Sequence, residues 1–249
     1  MLLKGKNAII TGSNRGIGRA TLITFAKEGA NVFAHARKET EEFRELCSAL
    51  SQEHNVCIEP VYFDMTDEEA MKNGVKEVLS KNKNIDILVN NAGAVNQVRL
   101  FQMTSIEEMK DEFDINFFAQ IQLTQMISKV MMRRKKGSIV NISSCAGLDG
   151  NTGMLEYVSS KAAMIGATKR LAIELGNYNI RVNSVAPGLT DTEMGNIMNP
   201  EMQEENYKKL VIKRKAKPSE VADAVLFFAS DMSTFITGQT LRVDGGMLN

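Results

Sequence analysis

Two residues in the second half of the chain have the types and the spacing for proton transfer. Tyr157 and Lys161 are four positions apart in a segment with helical character, so their side chains share one face of the predicted helix. A free tyrosine has a pKa of about 10, and a nearby ammonium stabilises the phenolate and lowers that pKa. Tyr157 is therefore predicted to act as an acid in a reduction or as a base in an oxidation. Taken alone, such a pair is more often an ordinary surface pair.

A glycine-rich turn near the N-terminus has the features of a phosphate site. It consists of Thr11, Gly12, Ser13, Asn14, Arg15, Gly16, Ile17 and Gly18. Glycines allow a tight turn and a close approach to phosphate, and the following helix would present free N–H groups to it. The spacing is G-x-x-x-G-x-G rather than the common G-x-G-x-x-G, so an ordinary strand-to-helix loop is the alternative. The position of the turn after the first predicted strand favours nucleotide binding.

The elements that must position these residues alternate along the whole chain. Strands are predicted at 7–11, 31–35, 58–63, 86–89, 138–142, 181–186 and 239–243, and helices at 16–28, 40–52, 67–81, 105–133, 155–176 and 218–229. Strands separated by helices indicate a parallel sheet, and nearly continuous apolar strands indicate a sheet covered on both faces. The sequence predicts one α/β domain over 1–249: a doubly wound, parallel, seven-stranded sheet. Residues 189–217, which are Met-rich and weakly periodic, are predicted to form a mobile cap.

Composition excludes several classes of function. The chain has 249 residues, with 30 Lys plus Arg against 30 Asp plus Glu, so no overall positive charge favours nucleic acid or an anionic membrane. No apolar segment approaches the roughly 20 residues that span a bilayer, and the N-terminus lacks signal-peptide features. The three cysteines and two histidines do not have metal-ligand spacing. A cytoplasmic protein with reduced thiols and without a metal is expected.

A set of motifs in a fixed order resembles the short-chain dehydrogenase/reductase family. After the glycine turn these are Asn90-Asn91-Ala92-Gly93, Asn116, Ile142-Ser143-Ser144, Tyr157-x-x-x-Lys161, Pro187-Gly188 with Thr192, and Val243-Asp244-Gly245-Gly246. The resemblance covers essentially the whole chain. It implies a Rossmann-type fold and a nicotinamide-dependent oxidoreductase, in which the cofactor moves a hydride and Tyr157 moves a proton.

The resemblance also implies a role for individual residues. Lys161 would hold the nicotinamide ribose as well as act on Tyr157. Ser144, 13 positions before Tyr157 and better spaced than Ser143, would hydrogen-bond the substrate carbonyl oxygen. Asn116 would hold a water that links Lys161 to solvent. Predicted substrate contacts are Ser144, Met154 and Tyr157. Predicted cofactor contacts are Gly12, Ser13, Asn14, Arg15, Gly16, Ile17, Gly18, Arg37, Asp64, Met65, Asn91, Ala92, Gly93, Tyr157, Lys161, Pro187, Gly188 and Thr192.

The end of the second predicted strand bears on the choice of cofactor. A carboxylate there would favour NAD, because it accepts hydrogen bonds from the ribose hydroxyls and repels a 2′-phosphate. The sequence instead has Ala36 followed by Arg37 and Lys38, and Arg15 adds a further cation. Because a guanidinium suits phosphate, NADP(H) is predicted. The alternative is that these cations only solvate a loop. Asp64 matches the family's adenine-contacting aspartate.

Within the family, the chain most resembles 3-oxoacyl-[acyl-carrier-protein] reductases, which implies reduction of a 3-oxoacyl thioester in fatty-acid synthesis. The basic run at 133–136 is either a docking patch for an acidic carrier protein or a solvated helix end. Three departures from that subfamily leave another ketone or alcohol (a sugar, polyol or steroid-like molecule) as an alternative. They are the loop at 94–97, Met154 in place of glutamine, and Tyr178 near a typical arginine.

Two further expectations follow from the resemblance. A catalytically silent nucleotide-binding scaffold is disfavoured, because Asn116, Ser144, Tyr157 and Lys161 are all present. The helices predicted at 105–133 and 155–176 would pair with their copies in other subunits and form a homotetramer. Packing of their apolar residues against the chain's own sheet is the alternative explanation for those residues.

Overall fold

A computed structural model describes residues 1–196 and 200–247. Its sheet contains β1 (Asn7–Ile10), β2 (Asn31–Ala36), β3 (Ile58–Tyr62), β4 (Ile87–Asn90), β5 (Gly137–Ile142), β6 (Ile180–Pro187) and β7 (Thr240–Val243). The strands are all parallel, in the order β3-β2-β1-β4-β5-β6-β7. The predicted doubly wound seven-stranded sheet is confirmed. The strand order reverses direction beside β1, and in such sheets ligands bind at the carboxyl ends of the strands near that point.

Helices cover both faces of this sheet. They are α1 (Gly16–Lys27), α2 (Glu41–His54), α3 (Glu68–Lys81), α4 (Ile106–Phe113), α5 (Ala119–Arg134), α6 (Ala146–Asp149), α7 (Leu155–Gly176), α8 (Pro200–Lys209) and α9 (Pro218–Ala229). Successive strand residues point to opposite faces, so Ile10 joins the core under α1, α2 and α9, whereas Ile9 joins the core under α3, α5 and α7. An inner strand such as β4 is therefore apolar at consecutive positions because both of its faces are covered, whereas the edge strands β3 and β7 carry polar, partly buried residues.

The helix predicted as continuous over 105–133 is interrupted. Between α4 and α5 the backbone forms a π-helical turn at Asp114–Phe118, which contains Asn116. The Gln120 side chain donates to the Ile115 carbonyl beside this turn (3.4 Å). This turn was not predicted from the sequence, and such turns are frequent at functional sites.

The segment predicted as a cap contains helix of its own. It includes a 3₁₀ turn at Met194–Asn196 and α8, while residues 197–199 of the predicted segment lie outside the described residues. Sequence periodicity also missed α6, which has only four residues. Within the described ranges, none of the helices is both long and apolar enough to cross a membrane.

Candidate active site

A cleft of about 750 Å³ opens at the carboxyl ends of the strands, a size typical of small-molecule sites. The glycine turn after β1 lines one part of it, and the segments after β2, β3, β4, β5 and β6 line the rest. Most predicted site residues meet in this cleft although they are far apart in sequence. Those that line it are Gly12, Asn14, Arg15, Gly16, Ile17, Arg37, Asp64, Met65, Asn91, Ala92, Gly93, Ser144, Met154, Tyr157, Lys161, Pro187, Gly188 and Thr192.

Three predicted site residues lie behind the cleft wall instead. The Ser13 hydroxyl is buried and donates to the His35 carbonyl oxygen (3.0 Å). Gly18 packs against the turn, because a Cβ there would stand 2.1 Å from the Gly12 carbonyl oxygen. Asn116 is fully buried. These residues shape the wall from behind and do not face the cleft.

His35, which the sequence did not single out, supports the glycine turn. Its Nδ1 accepts from the Gly12 backbone N–H (3.2 Å), and its Nε2 lies 2.8 Å from the Phe63 carbonyl oxygen. Burial lowers the pKa of His35 to about 4, so the ring is neutral at pH 7. Since Nδ1 is an acceptor, Nε2 carries the proton and donates to Phe63. The turn is thus held by a neutral imidazole of defined tautomer.

The mouth of the glycine turn presents unused backbone donors. Helix α1 begins there, and the side chain of its N-cap residue Arg15 makes no capping hydrogen bond, so among the described residues its first N–H groups have no side-chain partner. Arg15 forms an ion pair with Glu193 across the cleft (2.5 Å, both side chains exposed). Arg37 and Lys38 line the cleft at the end of β2. This end of the cleft is suited to an anion.

Tyr157 and Ser144 face each other at the other end of the cleft. Both side chains line the cleft, where Ser144 lies near enough to the Tyr157 hydroxyl to influence its pKa, and Ser144 Oγ accepts from the Ala146 N–H at the start of α6 (3.2 Å). The neighbouring Ser143 instead donates to the Val185 carbonyl oxygen and lies in the core. Both serines border the cleft, but the Ser143 hydroxyl is already engaged with Val185, and the choice of Ser144 stays a prediction.

The expected lowering of the Tyr157 pKa is wrong for this arrangement. Burial raises the pKa of Tyr157, and the hydrogen bond with Ser144 opposes that rise. Lys161 Nζ lies 5.8 Å from the centre of the tyrosine ring and donates to the Ile142 carbonyl oxygen (3.0 Å). Burial also lowers the pKa of Lys161, to about 8. The spacing predicted the neighbour correctly, but it could not predict how strongly both groups are desolvated.

Asn116 fastens the loop after β4 to the π-turn. Its Nδ2 donates to the Ala94 carbonyl oxygen (2.8 Å), and its Oδ1 accepts from the Ala94 N–H (2.9 Å). The next contact along this loop is between Asn96 N–H and Oε2 of Glu112, one turn earlier on α4 (3.2 Å). Glu112 is fully buried and was not a sequence candidate. The predicted water on Asn116 stays a prediction.

Comparisons with known proteins show the family to which the chain belongs. A family model described as Enoyl-(Acyl carrier protein) reductase matches residues 12–248. The 3-oxoacyl-[acyl-carrier-protein] reductase of Thermotoga maritima is 38% identical over 250 residues, covering 100% of both chains. A solved protein described as a short chain dehydrogenase/reductase family protein is 33% identical, with a TM-score of 0.84 and coverage of 99% of this chain and 98% of that one. The chain belongs to the short-chain dehydrogenase/reductase family.

Further members of the family are similar over nearly the whole chain. The Chlamydia trachomatis 3-oxoacyl-[acyl-carrier-protein] reductase is 37% identical, with coverage of 99% of this chain and 98% of the relative. A Brucella melitensis 3-oxoacyl-[acyl-carrier protein] reductase with bound NAD has a TM-score of 0.89 at 32% identity (99% and 92% covered). A 7α-hydroxysteroid dehydrogenase complexed with NADH and a 7-oxo bile acid has the same TM-score and identity (99% and 95% covered).

Proposed function

We propose that this chain reduces a 3-oxoacyl thioester to the 3-hydroxyacyl thioester with NADPH. The observation that carries the proposal is the Tyr157–Ser144 hydroxyl pair at one end of a cleft whose other end is the glycine turn. Full-length relatives at 37–38% identity are 3-oxoacyl-[acyl-carrier-protein] reductases, which supports this substrate class.

The cleft fits a nicotinamide dinucleotide. The uncapped N-terminus of α1 offers backbone donors for the pyrophosphate, and Gly12 at φ +64° brings the turn close to Ala92, so that a Cβ there would lie 3.1 Å from the Ala92 Cα. Lys161 and the loop at 91–93 line the end where the nicotinamide ribose would lie. When bound, the cofactor supplies the hydride.

The protein's own groups manage the proton. Because burial keeps the pKa of Tyr157 above that of a free tyrosine, its hydroxyl holds a proton at neutral pH and can donate it to the substrate oxygen. Ser144 offers a second donor to the same oxygen, where negative charge develops during hydride transfer. Lys161, with a pKa of about 8, is close enough to neutrality to return a proton to Tyr157.

A substrate panel tests this function. NADPH oxidation is followed with an acetoacetyl thioester, a crotonyl thioester, simple ketones, keto-sugars and a keto-steroid. Turnover of the acetoacetyl thioester well above all others supports the proposal. Preference for a keto-steroid or keto-sugar would replace it with the alternative substrate class, and preference for the crotonyl thioester would show that the double bond is the target. No turnover with any of these, together with tight NADPH binding, would favour the silent scaffold.

The preference for NADPH rests on the end of β2, where Arg37 and Lys38 line the cleft and no carboxylate stands at position 36. Arg15 is the weaker contributor, because it is already paired with Glu193. The ratio of kcat/KM for NADPH over NADH measures the preference. Arg37→Ala should reduce that ratio by about tenfold or more, since a charged hydrogen bond contributes about 1.5–3 kcal/mol. A wild-type enzyme that prefers NADH would overturn the assignment.

The carrier-protein and tetramer proposals have unequal support. Within the basic run at 133–136, Arg134 turns inward and pairs with Asp86 (3.0 Å), so it is less available to an acidic carrier protein.

For the tetramer, Ile106, Phe118 and Leu155 are exposed apolar residues on the helices expected to pair. Sedimentation at micromolar concentration tests the assembly, and a monomer would contradict it. The cytoplasmic location stays a prediction.

A further inference from the structure

Two buried carboxylates lie beside the candidate proton-transfer group. Glu112 on α4 is fully buried, and Glu156 on α7 is 4% exposed. The two helices pack against each other, and α7 also carries Tyr157 and Lys161. Neither carboxylate faces the cleft. Buried acids are costly unless something near them compensates the charge, so their position next to a buried lysine calls for an explanation.

Glu112 has partners on two sides. Its Oε2 accepts from the Asn96 N–H at 3.2 Å, and its Oε1 lies 3.5 Å from Asn116 Nδ2. Glu156, by contrast, has an Oε2 without a hydrogen-bond partner among the described residues. Glu112 is therefore the carboxylate that is held in a defined place.

The cluster continues from Asn116 to Lys161 through the space above Gly93. A Cβ built on Gly93 would lie 2.7 Å from Asn116 Oδ1 and 3.4 Å from Lys161 Nζ, so these two atoms border the same small space. The amide of Asn116 thus has Glu112 on one side and the Lys161 ammonium on the other. The negative charge of Glu112 favours the charged form of Lys161 and raises its pKa, against the burial that lowers it.

We propose that Glu112 is a positioning residue that keeps Lys161 protonated, acting from behind Asn116 in one buried cluster. The inference rests on the proposed function, in which Lys161 returns a proton to Tyr157. A carboxylate in a protein interior acts more strongly on a buried ammonium than a surface carboxylate does, because the surroundings screen it less.

The groups around Glu112 define the pH range in which it acts. Glu156, Tyr157 and Lys161 face it from α7, and Arg99 on the loop at 94–99 is paired with Glu108 (2.8 Å) one turn earlier on α4. Burial and the Glu156 charge raise the pKa of Glu112 to about 7. Glu112 therefore becomes negative as pH rises through 7, just below the pH at which Lys161 would lose its proton.

A direct titration tests the inference without cofactor or substrate. Lysine side chains are labelled with ¹³C at the ε position, and the Lys161 resonance is identified as the one that Lys161→Arg removes. In Glu112→Gln the titration midpoint of Lys161 should fall by about one pH unit or more. The matched control Glu107→Gln, a change at an exposed carboxylate on the same helix, should leave the midpoint unchanged.

Glu112→Gln keeps an acceptor oxygen for the Asn96 N–H, so a purely structural role for Glu112 predicts a wild-type Lys161 midpoint. That result would overturn the inference. If the glutamine variant does not fold, Glu112→Asp retains the charge but draws it back toward α4. Its Lys161 midpoint should then fall by less than one pH unit, and an unchanged midpoint would again overturn the inference.

Kinetics provide the second measurement. In Glu112→Gln the alkaline limb of the kcat–pH profile for ketone reduction should move to lower pH by the same amount as the Lys161 midpoint. If the Lys161 midpoint shifts but neither the wild type nor Glu112→Gln turns over any ketone, the effect of Glu112 on Lys161 would stand and the proposed function would be contradicted instead. The two failures are therefore distinguishable.

Discussion

Replacing Gly18 by alanine tests whether the glycine turn must pack as closely as the structure shows. A Cβ at this position would lie 2.1 Å from the Gly12 carbonyl oxygen and 2.5 Å from Asn91 Nδ2. Real Cβ contacts stay above 3.0 Å, so the turn would have to move by about 0.9 Å. The atoms in the way are backbone and a fixed amide, because Asn91 Nδ2 donates to the Thr11 and Gly12 carbonyl oxygens (2.8 and 3.1 Å).

The cost follows from those contacts. Overpacking costs about 1–3 kcal/mol, and each of the two Asn91 hydrogen bonds contributes about 1 kcal/mol. Alanine in a helix stabilises the folded state by about 0.5–1 kcal/mol relative to glycine, which offsets part of this cost. The net loss is about 2–4 kcal/mol, which lowers Tm by roughly 5–15 °C in a domain of this size. Loss of one charged hydrogen bond to the pyrophosphate raises the NADPH Kd by about tenfold or more.

Differential scanning calorimetry and NADPH fluorescence titration measure the two effects. Gly176→Ala is the matched control, because this residue also lies in a helix, has no positive φ and has no atom within 4 Å of a built Cβ. It should keep the wild-type NADPH Kd and gain up to about 1 kcal/mol in stability. A Gly18→Ala protein with wild-type Tm and Kd would refute the close-packing argument.

Three further outcomes are expected. Tyr157→Phe should bind NADPH as the wild type does and lose about 10²–10⁴-fold in kcat, and near wild-type turnover would contradict its role as the acid. Ser144→Ala should lose about 10²–10³-fold in kcat with little change in NADPH Kd; an effect on KM alone would contradict oxyanion stabilisation. The pKa of His35 is about 4 in the folded protein and 6.5 in the free side chain, so the unfolded state binds a proton first as the pH falls. The free energy of unfolding of the wild type should therefore decrease by about 2 kcal/mol between pH 7 and pH 5. Urea unfolding of His35→Gln should show no such loss, because this variant lacks the titrating imidazole. The difference in free energy of unfolding between the wild type and the variant should therefore be smaller at pH 5 than at pH 7. A difference that does not change with pH would contradict this.

The sequence predicted the architecture well because its strongest signals are local. Helices α7 and α9 were predicted with the observed bounds, since long apolar periodicity and Pro218 mark them. The strands were displaced by at most a residue at either end. The site motifs follow strand ends, and in a parallel sheet the carboxyl ends of the strands lie at one edge. Order along the chain, together with the family motifs, was therefore enough to predict most of the residues that share the cleft, although Ser13, Gly18 and Asn116 lie behind its wall.

The protonation and hydrogen-bonding state of those groups could be read only from the tertiary structure. The pKa of Tyr157 is raised rather than lowered, because desolvation depends on every element packed around the hydroxyl and not on the spacing to Lys161. The roles of His35 and Glu112 were hidden for the same reason, since each acts on a segment distant in sequence. From the sequence alone came the strands, the long helices, their order and most of the residues that line the cleft, but not α6, the π-turn or the burial of Ser13, Gly18 and Asn116. Burial, tautomer and charge coupling arise only when distant elements close around a group and exclude water.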